Sequence, residues 1–517
     1  MIDAGNRVEK IIRILFDFLK VVSEGDDLRG EQLQKEIADL YFGLGEKETD
    51  VVIYCMEELF KENTRFYIMI LSILYYAVKE DKLADKIFAL MMQDDIGYFW
   101  ASAVNYNMLC SQYSCSYSQK RKLCHRLLQK LYCELSIDGE IQIKYIPYGD
   151  RNHHNIVLMT DQLLTVQHAP SRMVLELYLA LQNMGYSIMF LVIVENAEEE
   201  ILSKCWYPPH KKNYLEELNG NFCVWYNDRE IEGFQLCFDS NHISSIKRTI
   251  KKIQRWKPEC VWFMGGDCVF PNVFSRMTTL VASTCVRGYA VSEAQILVSI
   301  ARDGSRELAE MKKYAEKQDQ KMVDISFTLG DIDAQSVDIS FCFPENKFLI
   351  AIVGNRLERE IDDHFKGIMR DILERNPDAH FMIIGKYSGE FGEDLKEHVT
   401  KCGYQKHLLV YLKKSDIFLN PVRYGGGWSA AMALSVKTPV VTLPDCDVAA
   451  NCGEAFICRT EEEIPELVWR YAHDEVFRQR QESECERRYR DQFDVDMEAE
   501  YQKVLHAVKK LAEEECE

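Results

Sequence analysis

Between Ser415 and Gly453 the chain reads as a short apolar strand, three glycines, a helix of small residues and a second buried strand. Residues 417–419 form the first strand and end at the turn Asn420-Pro421. Gly425, Gly426 and Gly427 follow, and a helix over about 428–435 runs to the break at Thr438-Pro439. Residues 440–443 make the next strand, which ends in an acidic loop. Strand, glycine loop and helix start in that order leave backbone N–H groups open to a phosphate. The helix terminus adds partial positive charge to donors without intrahelical partners, so a diphosphate can bind there without a metal. Ser429 falls in the first turn, where its hydroxyl serves either as a phosphate donor or as a cap.

The same alternation of short buried strands and amphipathic helices extends upstream. Residues 156–160 form a strand, 161–172 a polar loop, 173–182 a helix stopped by Gly185, and 187–194 a second strand. Strands at 222–226 and 260–264 alternate with helices at 243–256 and near 271–280. The charged, weakly patterned residues 304–345 read as a link. A second run has a strand at 348–353, a helix at 360–375, a strand at 380–384 closed by Gly385, a helix near 393–401 and a strand near 408–412. Residues 461–515 are mostly helical, with alternating charges.

Ahead of all this, residues 6–134 carry apolar side chains at helical spacing, as in Ile11-Ile12, Leu15-Phe16, Leu19 and Val22. Segments near 31–43, 48–61, 64–79, 82–93, 97–112 and 117–135 predict an α-solenoid or a compact all-α domain. Their aromatics, Tyr41, Phe42 and Tyr67 among them, read as packing between helices. The fold class is therefore α/β, with two tandem Rossmann-like domains preceded by an all-α helical domain. The expected segments are 1–140, all-α; 141–340, the first Rossmann-like domain with its link; 341–480, the second; and 481–517, a C-terminal helix. Ligands bind such sheets at the C-terminal ends of their strands, which here predicts a cleft between the two domains.

A net charge of −20 argues against a general nucleic-acid or anionic-membrane binder, since both need a positive field. It would also repel free nucleotides at long range, so a phosphate site must rely on local donors. The 18 cysteines include no CxxC pair, and the spacing of Cys110 and Cys115 does not suit a zinc knuckle. Residues 1–20 read as a helix and not as a signal peptide, and no apolar run reaches the roughly 18 residues that span a bilayer. The expectation is a soluble cytosolic protein with reduced thiols.

The run Val353-Gly354-Asn355-Arg356-Leu357 directly after a strand, then Phe381-Met382-Ile383-Ile384-Gly385, then the loop and helix of residues 420–439, resembles the donor-binding half of a GT-B-fold glycosyltransferase. The likeness covers about residues 150–480. It implies transfer of a sugar from a nucleotide diphosphate, most simply UDP-linked, to a protein, peptide or glycan acceptor. Asn355 and Arg356 then sit where a guanidinium can fork onto phosphate oxygens, or else Arg356 pairs with Glu358 or Glu360. Gly425 to Gly427 let the backbone approach the diphosphate, unless they merely turn the chain. Tyr411 and Lys413, at the end of the strand near 408–412, hold the position where the family's nucleobase sits.

Many retaining members carry two glutamates eight residues apart around this loop, and aligned on Pro439 those places hold Tyr424 and Met432. Carboxylate contacts to the sugar are then absent or come from Asp447 or Glu454. This brings the chain nearer to protein and peptide glycosyltransferases that lack the pair.

The first α/β domain should bring the acceptor and the base. Its loop from Asp161 contains Gln167, His168, Pro170, Ser171 and Arg172. Pro170 pins the loop and Ser171 suits an N-cap. Either His168 or Asp161 can take the acceptor proton. Gly265-Gly266-Asp267, after the strand at 260–264, offers a second loop at the same sheet edge, where Asp267 orients substrate or ends the strand. His153 and His154 beside Asp150 point opposite ways on an extended chain, so they do not ligate one metal. Asp331-Ile332-Asp333 lies in the link. The expected transfer uses no metal and no cofactor beyond the nucleotide sugar. The helical domain would hold a polypeptide or a partner protein, and a homo- or hetero-oligomer is open.

Two other readings compete. One is a non-catalytic GT-B-like subunit that recognises the acceptor for a partner transferase; the missing glutamates favour it, while the phosphate loop and Arg356 oppose it. The other, an epimerase or hydrolase, leaves the helical domain unexplained.

Overall fold

A computed structural model describes residues 2–24, 27–111, 116–136, 141–165, 168–266, 268–283, 291–299, 306–326, 343–421, 423, 425–444 and 446–514. Among these, the chain opens on seven helices: Ile2–Glu24, Asp27–Phe42, Glu46–Phe60, Thr64–Val78, Asp81–Met91, Tyr98–Cys110 and Tyr117–Ser136. The apolar periodicity places all seven. Thr64–Val78 buries Ile68, Ile70, Leu71, Ile73 and Leu74 on several faces, as a helix surrounded by others must. Asn63 caps it by accepting the Phe66 N–H at 3.1 Å, and Lys79 ends it in the left-handed conformation.

Thirteen strands follow among the described residues: β1 Asn152–Thr160, β2 Ser187–Glu195, β3 Gly220–Tyr226, β4 Arg229–Phe238, β5 Pro258–Met264, β6 Thr279–Ser283, β7 Ile296–Ser299, β8 Lys321–Asp324, β9 Phe348–Val353, β10 Ala379–Ile384, β11 Val399–Gly403, β12 Ile417–Leu419 and β13 Val440–Val441. The chain forms two compact units that do not follow chain order. One comprises Met1–Ser171, Ser187–Leu280 and Val291–Gln295; the other comprises Arg172–Tyr186, Val281–Ala290 and Ile296–Glu517.

In the first unit β1 lies between β2 and β5, parallel to both, and β4 runs parallel to β2. β3 closes the edge as the antiparallel partner of β4. β4 had no counterpart in the sequence reading. It folds back through Asn227 and Asp228, both at positive φ, which is the two-residue turn that matches strand twist. The seven helices share this unit, and Tyr98 Oη donates to Glu195 Oε1 at 3.1 Å where β2 ends. The helix expected near 271–280 is instead a 3₁₀ stretch, Phe270–Arg276, followed by β6. Asn272 bonds back to Val269 O and turns the chain before a full α-helical turn can propagate.

In the second unit residues 281–283 of β6 run parallel to β7, and β7 to β8. Part of the presumed link is thus structured, with helix Arg306–Lys317 and β8 inside it. The sheet that follows is parallel throughout, in the order β11-β10-β9-β12-β13. β9 and β10 are buried on both faces, which explains their unbroken apolar runs. Helices Ile464–His473 and Glu475–Gln492 complete this core through Val468, Tyr471 and Cys485.

The strand expected near 408–412 is a helix, Leu408–Lys414, and the strand role falls to Val399–Gly403. A five-residue apolar run has no period that separates helix from strand. Here Leu409 and Leu412 share the buried face at helical spacing. The fold class is the one the sequence implies: α/β, with Rossmann-like, mostly parallel sheets and an all-α region ahead of them.

Candidate functional site

β12 ends at Leu419, and the chain turns through Gly425 and Gly426 at φ +96° and +90°. Only glycine holds that conformation without strain. Helix Gly427–Ser435 starts directly afterwards, on an N-cap residue, Gly426, that has no side chain to cap it. Its first internal bond is Ala430 N–H to Gly426 O, so the amides of Gly427, Trp428 and Ser429 begin the helix without intrahelical acceptors. A Cβ on Gly427 would meet Asn451 Nδ2 at 2.5 Å and the Asp447 backbone oxygen at 3.2 Å. The absence of a side chain there lets helix Asp447–Cys452 lie against the loop, which brings Asp447 to it.

Two guanidinium groups meet the same loop. Arg423 is buried: its Nη1 donates to Glu360 Oε2 at 2.8 Å and its Nε to Asn420 Oδ1 at 2.9 Å. Its Nη2 is buried with no hydrogen-bond partner among the described residues, and a Cβ on Gly426 would meet it at 2.7 Å. Burial lowers the Arg423 pKa, while Glu360 pulls it up, and the group stays a cation at neutral pH. Arg356 is 61% exposed; its Nε lies 3.4 Å from Glu360 Oε1, and its Nη2 lies 3.0 Å from where a Gly425 Cβ would be. Glu360 therefore holds both arginines beside the glycines. Arg356 thus makes the ion pair with Glu360 and also lies beside the glycines.

The sequence reading did not place Arg423 at this loop, and it named Glu360 only as a partner for Arg356. The available signal was an arginine two residues before the glycine run, and its buried partner lies 63 residues away in sequence. Asn355 is exposed beside Arg356 at the end of β9. Ser429 is half-buried in the first turn. Tyr411 and Lys413 lie on helix Leu408–Lys414 and do not follow a strand. The Tyr411 ring is buried in the core, 5.7 Å from that of Phe343, and Lys413 is exposed. The loop that does follow the strand is Tyr404 to Lys406, after Gly403 at φ +66°, with Tyr404 61% exposed. Met432 is half-buried against the core, so a thioether stands at one expected carboxylate; Tyr424, the other, lies outside the described residues. Glu454 is exposed at the start of a 3₁₀ turn.

In the first unit Asp161 follows β1. Its Oδ1 accepts the Gly266 N–H at 3.2 Å, and its Oδ2 lies 3.6 Å from Lys212 Nζ, both side chains 14% exposed. A Cβ on Gly265 would meet Asp161 Oδ1 at 2.5 Å, which explains the first glycine after β5. Burial works against the charged Lys212, but Asp161 and more distant acidic groups outweigh it and raise its pKa.

His168 Nδ1 lies 3.0 Å from Ser171 Oγ, which also accepts the Leu164 N–H at 2.9 Å. Ser171 is thus inside the first turn of helix Ala169–Asn183 and acts as a brace for the loop and not as its N-cap. Burial lowers the His168 pKa, and Asp161 opposes the shift only in part. A neutral imidazole at pH 7 can accept a proton. Gln167 and Asp267 lie outside the described residues, as does Asp331-Ile332-Asp333. The structure brings Arg356, Gly425, Gly426, Gly427, Ser429 and Asp447 to one loop of the second unit, and Asp161, Gly266 and His168 to one sheet end of the first.

Residues 347–469, which contain the β9–β13 sheet, match the family model described as glycosyl transferases group 1. No curated protein matches the sequence. Among solved structures, a mutant of Thermobaculum terrenum O-GlcNAc transferase is similar at 13% identity and a TM-score of 0.48, over 99% of this chain and 98% of that one. A glycosyltransferase from Rickettsia africae is similar at 9% identity and a TM-score of 0.45, over 70% and 98% of the two chains. A mutant of S. aureus TarM is similar at 9% identity and a TM-score of 0.42, over 68% and 99%.

Proposed function

We propose that the protein transfers a sugar from a nucleoside diphosphate sugar, UDP-linked, to a hydroxyl or amide of a polypeptide or glycan acceptor, without a metal. The observation that carries the reading is the buried Nη2 of Arg423, without a partner among the described residues, beside Gly426 at the start of helix Gly427–Ser435. A helix N-terminus with a preorganised guanidinium suits a diphosphate.

In the reaction the acceptor oxygen or nitrogen forms a bond to the sugar's anomeric carbon, and the bond from that carbon to the diphosphate oxygen breaks. The electron pair leaves with the diphosphate. Arg423, Arg356 and the amides of Gly427 to Ser429 supply the positive potential that the growing charge needs, which is the work a metal would otherwise do. The acceptor proton goes to His168, whose lowered pKa keeps it a free base, or to Asp161. Asp447 is proposed to contact the sugar in place of the missing glutamates. The nucleobase contact is assigned to Tyr404 at the end of β11, where Tyr411 and Lys413 had been expected to supply it. The nucleotide sugar is the co-substrate and no other cofactor is required. The reduced thiols expected from the sequence fit action in the cytosol.

The test is incubation with a panel of nucleoside diphosphate sugars, following nucleotide release and the melting temperature. Ligand binding to the native state raises the latter. The reading fails if no nucleotide sugar does either. Met432 at an expected carboxylate position favours a second reading, an acceptor-recognition subunit without turnover. Binding without release in the presence of acceptor polypeptides would select it.

A further inference from the structure

Helices Ile2–Glu24 and Glu46–Phe60 line a groove of about 740 Å³ in the first unit, remote in sequence from every residue assigned above. Glu46–Phe60 has two apolar faces. One holds Val52 and Met56, both fully buried. The other carries Val51, Tyr54, Cys55 and Leu59 along the groove, with Val51, Tyr54 and Leu59 47%, 60% and 58% exposed. Val8 and Ile12 complete the apolar lining from the first helix. A soluble helix normally needs one apolar stripe, and a second one open to solvent marks a contact surface.

The charged groups among the lining residues are all acidic: Glu9, Glu48 and Glu58. Glu48 is occupied by the Gly45 N–H at 2.8 Å and Glu58 pairs with Lys61 at 3.2 Å, which leaves their charge at the rim only partly offset. An isologous second copy would bring carboxylates onto carboxylates, and an anionic lipid surface would meet the same repulsion.

We propose that this groove seats a cationic amphipathic helix of a partner polypeptide. Its apolar side chains pack between Val8, Ile12, Val51 and Leu59, and its Lys or Arg side chains lie beside Glu9 and Glu58. Helix-in-groove recognition of this kind draws affinity from the apolar anchors and selectivity from the rim charges. The inference does not depend on the transferase reading, because it is tested by binding alone.

The probes are two labelled peptides of about 18 residues, long enough for a stable amphipathic helix. One has a leucine stripe with lysines and the other the same stripe with glutamates, and each is titrated against the full chain by fluorescence anisotropy. The lysine peptide should bind at least about tenfold more tightly than the glutamate peptide, and raised salt should narrow the gap. Val51→Asp should weaken binding by about tenfold or more. Glu9→Lys with Glu58→Lys should reverse the preference, and because both side chains are exposed this pair tests the proposal even if Val51→Asp fails to fold. Equal affinity for the two peptides, or no affinity for the lysine peptide, overturns the proposal. So does self-association lost on Val51→Asp, which makes a second copy the occupant, or groove-dependent binding to vesicles of anionic phospholipid.

Discussion

Replacing Arg423 with methionine separates its structural role from its proposed ligand role. The guanidinium and the Glu360 carboxylate are 2.8 Å apart with side chains 4% and 8% exposed. Removing one member of such a buried pair typically costs about 3–5 kcal/mol, because the other charge stays buried without compensation. Arg356 remains 3.4 Å from Glu360 and can take over part of the load, so the low end, about 3 kcal/mol, is expected. Combining Arg423→Met with Glu360→Gln removes the orphaned charge and should recover most of that loss.

Binding gives the second number. If Nη2 meets a phosphate oxygen, the lost charge-assisted hydrogen bond is worth about 1.5–3 kcal/mol, or about 10- to 150-fold in Kd. Calorimetric titration with UDP and with uridine distinguishes the causes, since uridine lacks the diphosphate. UDP affinity should fall by that factor in both the single and the double variant, with uridine affinity little changed. Equal losses for UDP and uridine would refute the phosphate role. A stability loss under about 1 kcal/mol in Arg423→Met would refute the buried pair.

Gly426→Ala forces a side chain into φ +90° and to 2.7 Å from Arg423 Nη2, so UDP affinity should drop about tenfold or more, read by the same titration. Gly265→Ala places a methyl 2.5 Å from Asp161 Oδ1 and should destabilise by about 1–3 kcal/mol without altering UDP binding, as thermal unfolding would show. His168→Ala should lower turnover by about 10²- to 10⁴-fold at unchanged UDP affinity if it is the base, whereas the same loss from Asp161→Asn alone would assign the role there. Because burial lowers the His168 pKa below 6.5, activity that depends on its neutral form should be flat above that pH and fall only below it. Between the lowered folded value and 6.5 the unfolded chain binds the extra proton, so the stability contributed by this site should rise with pH across that window. A pH series of unfolding midpoints for wild type and His168→Ala measures that difference.

Much of the fold was legible because its signals are local. Apolar periodicity marked the seven helices, and the unbroken runs Phe348–Val353 and Ala379–Ile384 marked strands buried on both faces. Where the local signal was degenerate the reading failed. Residues 408–412 are apolar without a period, and β4 depended on a turn made by Asn227 and Asp228 that carries no glycine. The site divides in the same way. Glycines at 425 and 426 ahead of a helix declare a tight turn from sequence, since the need for positive φ is written in the residue type.

The amino-acid order alone thus determined those strands and helices whose apolar period is clear, and where backbone donors are exposed. Tertiary structure decided which side chains face those donors. Glu360 reaches Arg423 across 63 residues, and Asp161 reaches Gly266 across 105. Such pairs arise only when parallel strands distant in the chain end at one edge, and a charge is held, buried or left unpartnered by neighbours that no stretch of sequence contains.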